Sequence, residues 1–428
     1  MQTLAQIAAT VAGYDPQALP VAQAQDFIAR LVPRVQAVES LAIRSALGRV
    51  LARDVVSPIN VPAHDNSAMD GYALRFADLA AAGGSNLPVA GTALAGAQYP
   101  HAVPPGQCVR IMTGAVIPTG LDTVVPQEWT QLAAEGQVHI PSGVVQAGDN
   151  RRLAGEDLAR GEVALAAGRI LRPADLGLLA SLGQAEVAVF RRLRVAFFST
   201  GDELRSIGEP LDEGCVYDSN RYTLWGMLQR LGVELIDMGV VRDEPAALRA
   251  AFSQAAACAD AVITSGGVSV GEADHTKQIM AELGDVLFWK IAMRPGRPMA
   301  IGRIGAAADG TGAMLFGLPG NPVAVMVTFY AFVRDALLAM SGATPAPLPV
   351  LRAACETGIR KKAGRTEYQR GIVSQGADGR WTVRITGSQG SGILRSMSQA
   401  NGMVVLRHDQ GDVQAGDLVD VLPFEGLI

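Results

Sequence analysis

Hydrophobic and polar positions follow different periods in different parts of the chain. Near the N-terminus, Phe27, Ile28 and Leu31 continue a spacing of three and four residues, which predicts a helix interrupted at Pro33. Between about 55 and 155, short apolar runs are separated by proline and glycine, which is typical of a small β-rich domain. Its strands are predicted at 88–91, 107–112, 123–126 and 137–140.

Residues 194–340 alternate between strand-like and helix-like segments. The predicted strands are 194–199, 233–238, 261–264, 286–292, 299–302 and 313–317. The predicted helices are 220–231, 246–257, 274–283 and 322–340, and Asp218 and Ser219 in the DSNR segment are candidate caps of the first. This alternation predicts a doubly wound, mostly parallel sheet with helices on both faces, which binds its ligands outside the carboxyl ends of the strands.

The C-terminal part of the chain returns to a strand pattern. A proline-rich run at 344–349 cannot continue the preceding helix and is interpreted as a linker. Residues 350–428 are again strand-like, and Asp378-Gly379 is a hairpin signal. The sequence therefore predicts a small closed β domain after the α/β region.

Charge and cysteine content narrow the class of protein. The 428 residues carry 36 Lys+Arg against 41 Asp+Glu, a net charge of −5. The chain as a whole therefore lacks the excess of positive charge that is typical of nucleic-acid-binding proteins, and any anion-binding site must be local. The longest apolar run, 322–333, stops short of the ~18–20 residues that span a bilayer. Four scattered cysteines without a CxxC pair favour a cytoplasmic protein with free thiols.

A glycine loop follows the predicted strand 261–264. It includes Ser265, Gly266, Gly267 and Ser269, and glycines let a ligand approach the backbone while amides at a helix start attract an anion. The loop is neither GxGxxG nor a Walker motif, which argues against nicotinamide and ordinary nucleotide hydrolysis. By itself such a loop is more often a tight turn between strand and helix.

Several acids fall at the same predicted edge of the sheet. Glu203 follows the first strand, Asp243 precedes a helix, and Asp274 follows the glycine loop. Each alone fits a helix cap. Together they place like charges at one edge of the sheet, and a cation or hydrogen-bond donors of a substrate are needed to offset the repulsion. Mg²⁺ is such a cation, since it binds one or two protein carboxylates along with substrate phosphates and waters.

Two arginines lie on a stiff turn after the strand 286–292. Arg294 and Arg297 flank Pro-Gly, and their guanidinium groups are suited to binding an oxyanion. The alternative interpretation is that they are solvent-exposed arginines of a surface loop. Asn321 ends a strand and begins the long helix, where it is a plausible cap and where bare amides suit a phosphate or oxyanion.

The motifs, taken in order, resemble the MoeA and gephyrin E-domain family of molybdopterin molybdenumtransferases. The resemblance covers about residues 20–428. It rests on DNSAMDGY (65–72), RIMTG (110–114), GED (155–157), STGDEL (199–204), DSNR (218–221), TSGGVSVGEADHTK (264–277), RPGRP (294–298), GLPGNP (317–322) and YQRG (368–371).

The resemblance implies that molybdate is inserted into adenylylated molybdopterin, giving molybdenum cofactor and AMP with Mg²⁺. It implies a homodimer whose clefts are lined by both subunits, with no nucleic acid or membrane as partner. The adenylyltransferase and molybdoenzyme-maturation proteins are further candidate partners. Two alternatives stay open: an adenylyltransferase-like enzyme that makes the nucleotide itself, and a non-catalytic dimeric scaffold.

The resemblance also implies a four-domain architecture. The α/β domain is similar to molybdopterin adenylyltransferase and is expected to bind the pterin nucleotide. A linker or dimerisation domain, a β-rich domain and a C-terminal β-barrel complete it. The α/β domain is expected over 1–38 and 189–343, and the linker or dimerisation domain over 39–55 and 157–188. The β-rich domain is expected over 56–156 and the barrel over 344–428.

Site residues are carried over position by position. The catalytic set is Asp274, Glu203, Asp243, Asp70 and Lys290, with Asp274, Glu203 and Asp243 as metal ligands. The substrate-binding set is Thr113, Ser265, Gly266, Gly267, Ser269, Arg294, Arg297, Pro298, Asn321, Arg370 and Ser391. The chain departs from the family where Arg294 and Arg297 replace lysines and Ala324 replaces a serine.

Overall fold

The computed structural model describes residues 4–11, 13–134, 136–268, 275–305 and 312–424. Its α-helices are α1 (Leu4–Thr10), α2 (Val21–Leu31), α3 (Pro173–Ser181), α4 (Ser219–Arg230), α5 (Pro245–Cys258), α6 (His275–Leu283), α7 (Pro322–Thr328), α8 (Arg334–Met340) and α9 (Leu394–Gln399). The helix predicted before Pro33 is therefore present as α2.

Strands β1 to β12 precede the α/β region. They are β1 (Val38–Ala42), β2 (Val55–Val56), β3 (Asn66–Ser67), β4 (Gly71–Leu74), β5 (Ser85–Ala93), β6 (Cys108–Ile111), β7 (Thr123–Pro126), β8 (Gln131–Leu132), β9 (Gln137–Ile140), β10 (Arg151–Arg152), β11 (Val163–Leu165) and β12 (Glu186–Phe190). Six of them form one sheet in the order β7-β4-β6-β5-β9-β8, which confirms the β-rich region, while β1 pairs with β12.

The α/β region contains the strands β13 (Arg194–Thr200), β14 (Leu204–Arg205), β15 (Val216–Tyr217), β16 (Glu234–Val241), β17 (Ala261–Ser265), β18 (Gly284–Lys290), β19 (Met293–Arg294), β20 (Pro298–Ile304) and β21 (Ala313–Leu318). The main sheet has the order β16-β13-β17-β21-β20-β18. The first four strands are parallel, and β20 runs antiparallel to both of its neighbours. The prediction of a mostly parallel sheet is confirmed.

Alternate side chains of the central strands bury into two separate cores. In β13, Val195 and Phe197 pack with α4 and the long C-terminal helix of this region, while Ala196 and Phe198 pack with α5 and α6. Residues in a strand point to opposite faces in turn, so an apolar run without alternation requires cover on both faces. The continuous apolar strands seen in the sequence are thus the centre of a doubly wound domain.

The long helix is continuous from Pro322 to Met340, with a π-helical turn at Phe329–Val333 between α7 and α8. The helix passes through Arg334 and Asp335, where the sequence analysis ended the apolar run. The apolar segment is therefore longer than predicted and reaches Met340. By length and composition it is a candidate membrane span, but 67% of that window is buried inside the molecule. It is the core helix on one face of the main sheet.

The C-terminal strands are β22 (Leu351–Cys355), β23 (Thr366–Gln375), β24 (Trp381–Ile385), β25 (Gly402–Leu406) and β26 (Leu418–Pro423). They pair in the ring β22-β24-β23-β25-β26 and back to β22, which closes a five-stranded barrel and confirms the predicted closed β domain. The short strand β19 pairs with β23 in parallel and connects the barrel to the α/β region. The strand pattern did not predict α9, which lies between β24 and β25.

Candidate functional site

The loops that follow β17 and β21 are joined by one buried side chain, Asn220 in the first turn of α4. Its Nδ2 donates to Ser265 Oγ at 2.9 Å and to the Gly320 carbonyl at 2.6 Å. Ser265 ends β17 and is 1% exposed, and Asn220 is also buried. The sequence analysis treated the DSNR segment as a helix cap, yet Asn220 fixes two neighbouring loops at the ligand edge of the sheet.

The glycine loop after β17 requires its glycines. Gly266 has φ +98°, and a Cβ there would lie 2.5 Å from the Thr200 carbonyl oxygen. Gly267 has φ +68°, and its Cβ would lie 2.6 Å from the Thr276 side chain. Side chains are excluded at both positions by backbone strain and by contact. The predicted site residues Ser269 and Asp274 lie outside the described residues.

Three carboxylates lie together at the carboxyl ends of β13 and β16, and we call Asp202, Glu203 and Asp243 the acidic edge. The Asp243 N–H donates to Asp202 Oδ1 at 3.2 Å. Burial raises the pKa of Asp243, the negative charges of Asp202 and Glu203 raise it further, and His275 opposes them. The half-buried Asp243 also has a buried Oδ1 that accepts no hydrogen bond. The acidic edge therefore holds unbalanced negative charge.

Further buried polar atoms near this edge also lack partners. Asp218 Oδ1 accepts from Ser199 Oγ at 3.0 Å and from the Arg221 N–H at 3.1 Å, which confirms Asp218 as the cap of α4. Its second oxygen, Oδ2, is buried without a hydrogen bond, and so are Asn220 Oδ1 and Thr200 Oγ1. Buried acceptors without donors are costly, so this edge suits a cation or a donor-bearing ligand.

These acids do not form a complete metal centre by themselves. Within the described ranges, no group of three or more His, Cys, Asp or Glu side chains is arranged to hold a metal ion. Mg²⁺ usually keeps several waters and takes only one or two protein carboxylates along with substrate phosphates. Glu203 and Asp243 are compatible with that smaller requirement, and Asp274 stays a prediction.

A second group of predicted residues surrounds a cavity of about 650 Å³ between the α/β region and the barrel. We call it the arginine cavity. Three loops form its walls: the RPGRP turn, the loop after β21, and the loop before α9. Its lining residues include Arg294, Arg297, Pro298, Asn321, Arg365, Gln389 and Ser391.

Backbone pairing fixes the walls of the arginine cavity. Pro298 lies opposite Lys290 in the antiparallel pair of β20 and β18, and Arg294 lies opposite Glu367 in the parallel pair of β19 and β23. The Ser391 carbonyl accepts from the Val323 N–H at 3.0 Å. Two regions distant in sequence therefore meet at this cavity through main-chain hydrogen bonds.

The predicted cap at Asn321 is wrong in its detail. Asn321 occupies the N-cap position of α7, but its side chain makes no capping hydrogen bond. The Ser391 carbonyl instead accepts from Val323 in the first turn, because the barrel loop packs against this helix end. The amide side chain of Asn321 is therefore available to the cavity that it lines.

Positive charge in the arginine cavity is only partly neutralised. Arg294 and Arg297 are exposed, and neither forms an ion pair within the part of the chain that the structure describes. Arg365 is different, because its Nε and Nη2 both contact Glu367 Oε1, at 2.8 and 2.7 Å. This group of permanent cations suits an oxyanion, since guanidinium groups bind planar and tetrahedral oxyanions by charge-assisted hydrogen bonds.

Arg370 lies behind one wall rather than in the cavity lining. It is 0% exposed, and its guanidinium donates to Ser396 Oγ and to the carbonyls of Ser388, Gln389 and Gly390. Burial and, to a smaller extent, the nearby charge of Arg294 lower the pKa of Arg370 to about 10. Arg370 therefore shapes the loop that carries Gln389 and Ser391, and direct contact with a ligand stays a prediction.

The remaining predicted residues lie apart from the arginine cavity. Asp70 Oδ1 accepts from both the N–H and the Oγ1 of Thr113 at 2.7 Å, which lowers the pKa of Asp70. This exposed pair lies just before β4 and just after β6 of the β-rich sheet, and it lines neither the arginine cavity nor the adjoining cavity. Lys290 is half-buried, and its amino group makes no hydrogen bond or ion pair with the described residues.

The sequence analysis missed three residues that the geometry brings to the site: Asn220, Arg365 and Gln389. Gln389 also lines an adjoining cavity of about 430 Å³, which shares Arg294 with the arginine cavity. Arg365 lies close to the YQRG motif, and the cluster of charge RTEYQR was the one signal that could have identified it. Asn220 was visible only as a neighbour of a capping aspartate.

Comparisons with known proteins show the family to which the chain belongs. Three family models match in order: the MoeA N-terminal region (domain I and II) over 19–183, a probable molybdopterin binding domain over 196–339, and the MoeA C-terminal region (domain IV) over 352–424. Together they span all three regions described above.

Individual relatives cover almost the whole chain. A Haemophilus influenzae protein named molybdopterin molybdenumtransferase is 42% identical over 96% of this chain and 100% of its own length. A Nostoc protein of the same name is 37% identical over 93% of this chain and 92% of its own. The crystal structure of the molybdopterin biosynthesis MoeA protein from Pyrococcus horikoshii OT3 superimposes with a TM-score of 0.81 at 28% identity, covering 95% of this chain and 99% of that one. The chain therefore belongs to the MoeA family.

Proposed function

We propose that this protein is a molybdopterin molybdenumtransferase that inserts molybdate into adenylylated molybdopterin and releases AMP in an Mg²⁺-dependent reaction. The observation that carries the proposal is the arginine cavity, where Arg294 and Arg297 have no protein carboxylate as partner within the described residues. Molybdate is a tetrahedral dianion, and such a cavity supplies fixed positive charge together with backbone and amide donors. The names of the relatives support the same chemistry.

The residues of the cavity would bind and orient the oxyanion rather than attack it. The RPGRP turn and the loop before α9 are held by main-chain pairing, so their donors are positioned before substrate arrives. Fixed donors need little reorganisation during reaction, which is the main source of electrostatic catalysis. No cysteine lines the cavity, and the sulfur ligands of molybdenum would come from the pterin dithiolene.

The acidic edge would hold Mg²⁺ on the phosphate side of the substrate. The unsatisfied Oδ1 of Asp243, and the raised pKa caused by burial and by Asp202 and Glu203, fit a site that needs a cation. Asp243 and Glu203 are the described candidates, with Asp274 as a third from the sequence. Bound there, Mg²⁺ would polarise the phosphoanhydride of the adenylylated pterin.

The pterin nucleotide would lie along the loops after β13, β17 and β21. Buried acceptors there, including Asp218 Oδ2 and Asn220 Oδ1, suit a ligand rich in N–H donors. The Asp70–Thr113 pair would act on the cleft of a second subunit in a homodimer. The four free cysteines fit a cytoplasmic location.

The decisive experiment supplies purified protein with adenylylated molybdopterin, molybdate and Mg²⁺, and measures AMP. We expect AMP to form only when all three are present, together with cofactor that reconstitutes a molybdoenzyme. AMP formation independent of molybdate would contradict the proposal. Consumption of ATP with unmodified pterin would instead support an adenylyltransferase, and complementation of a deletion strain by an Arg294→Ala/Arg297→Ala variant without AMP release would support a scaffold.

A further inference from the structure

The charged side chains of the arginine cavity are not independent of one another. Arg294 and Arg297 lie on the RPGRP turn, while Arg365 reaches the same cavity from the start of β23. Within the described segments, Arg365 is the one of these three that pairs with an acid, Glu367. The remaining lining side chains are uncharged. The Arg365–Glu367 pair is therefore the element that sets how much net positive charge the cavity presents.

The pair is built into the wall. The Glu367 side chain is only 4% exposed, and its second oxygen, Oε2, accepts from Gln369 Nε2 at 3.2 Å. Arg365 directs Nε and Nη2 at Oε1 of Glu367, so its Nη1 makes no hydrogen bond with the described residues. The main chain at Glu367 pairs with that of Arg294. The position of Arg365 is consequently fixed by the same junction that forms the cavity.

We propose that the Arg365–Glu367 pair makes the cavity selective for a tetrahedral dianion over a monoanion of the same shape. The inference rests on the proposed function, since it specifies how that oxyanion site chooses its ligand. Glu367 cancels the charge of Arg365, which leaves the two charges of Arg294 and Arg297 facing the ligand. Arg365 still donates hydrogen bonds, and Glu367 acts as a positioning residue behind it. The buried Arg370 adds a positive background that no variant below changes.

Three variants separate charge from hydrogen bonding. Arg365→Ala leaves Glu367 unopposed and lowers the net charge of the cavity by one. Glu367→Gln raises the net charge by one and keeps an amide oxygen for Arg365. The double variant Arg365→Ala/Glu367→Gln restores the original net charge but removes the donors of Arg365. The double variant also avoids a buried unpaired carboxylate, which protects its folding.

The experiment measures dissociation constants by isothermal titration calorimetry on the full chain, without pterin. Its probes are molybdate and sulfate as dianions and perrhenate as a tetrahedral monoanion. We expect Arg365→Ala to weaken both dianions by about 10-fold or more and to lower the molybdate-to-perrhenate preference at least about fivefold. Glu367→Gln should raise that preference by a similar factor. The double variant should bind all three ions more weakly with the wild-type preference.

The matched control is Arg380→Ala, because Arg380 also pairs with an acid two residues away, Asp378, but on an exposed hairpin. It should bind every ion as the wild type does. An unchanged molybdate-to-perrhenate preference in folded Arg365→Ala or Glu367→Gln would overturn the inference. If Arg365→Ala fails to fold, Glu367→Gln and the double variant decide. A wild-type protein that binds none of the ions would instead overturn the oxyanion site of the proposed function, and with it the role of the pair.

Discussion

The arginine cavity and the acidic edge are both built from loops at strand ends, yet they manage their charge in opposite ways. In the cavity, Arg294 and Arg297 are exposed, so water stabilises them until a ligand arrives. At the acidic edge, Asp243 is half-buried beside Asp202 and Glu203, and one of its oxygens has no partner. We therefore expect substitutions in the arginine cavity to change the affinity for its ligand. At the acidic edge, we expect substitutions and bound cations to change the stability of the protein.

The largest expected effect is at the cavity, with Arg297→Ala. Loss of a charge-assisted contact should raise the KM for molybdate by about 10- to 100-fold, while kcat at saturating molybdate changes little. AMP release at varied molybdate measures both constants. The control is Arg384→Ala, an exposed arginine of the barrel without an ion pair among the described residues, which should leave the KM unchanged. Unchanged molybdate saturation in Arg297→Ala would show that the cavity is not the oxyanion site.

The next effect concerns the turn that carries both arginines. Gly296 has φ +94°, and a Cβ there would lie 2.5 Å from Oγ1 of the buried Thr328. We expect Gly296→Ala to lower the free energy of unfolding by about 2–3 kcal/mol, from backbone strain plus contact with the core helix. Urea denaturation measures it.

The matched control for this turn is Gly379→Ala. Gly379 has φ +79° but no atom within 4 Å of an added Cβ, so only the backbone cost of about 1 kcal/mol should remain. Equal losses in the two variants would mean that Thr328 does not restrain the turn. Gly296→Ala/Thr328→Ala should recover part of the loss.

A smaller effect is expected at Asn220, which joins the wall of the arginine cavity to the strand that leads to the glycine loop. Its amide contacts Ser265 on the strand that leads to the glycine loop and Gly320 in the cavity wall. Asn220→Ala should cost about 1–3 kcal/mol of stability and raise the KM values for both substrates, since both loops lose a fixed donor. The exposed Asn86→Ala serves as control and should change stability by less than about 0.5 kcal/mol. A raised KM for one substrate alone would show that Asn220 does not position both loops for binding.

The smallest effect is a pH-dependent stability at the acidic edge. Because the pKa of Asp243 is raised in the folded state, its charged form costs stability above that pKa, and the cost disappears as the pH falls through it. We therefore expect the melting temperature of Asp243→Asn to exceed that of the wild type by about 2 °C at pH 7 without Mg²⁺. At acid pH the two melting temperatures should be equal. Mg²⁺ should raise the melting temperature of the wild type more than that of the variant.

Asp378→Asn is the control for this measurement, since Asp378 is exposed and paired with Arg380. It should leave both the melting temperature and the Mg²⁺ response unchanged. If Asp243→Asn keeps the full response to Mg²⁺, the ion binds elsewhere.

Local patterns in the sequence were sufficient for much of the fold. The apolar strands around Phe197 and Ile263 could be identified because full burial on both faces leaves uninterrupted apolar runs. Asp218 was correctly identified as a cap because capping depends on three adjacent residues. The closed barrel followed from many short strands after a proline-rich linker.

Features that depend on distant contacts were less accessible. Asn321 has the right position for a cap, but the Ser391 carbonyl, 70 residues away in the chain, supplies the oxygen that accepts from the first turn of the helix. Arg365 and Glu367 acquire their significance only because β19 pairs with β23. Resemblance identified Arg370, yet its burial behind the 388–390 loop is a consequence of tertiary packing.

The junction of β19 with β23 involves only two residue pairs, Met293 with Thr366 and Arg294 with Glu367. The contact extends beyond this pairing, because Tyr368 and Met403 of the barrel belong to the same buried apolar core as the α/β region. Gln389 and Ser391 are therefore held beside the RPGRP turn by apolar packing as well as by the main chain. A cavity whose walls grow out of one common core keeps its shape before any ion is bound, so the oxyanion does not have to order its own site.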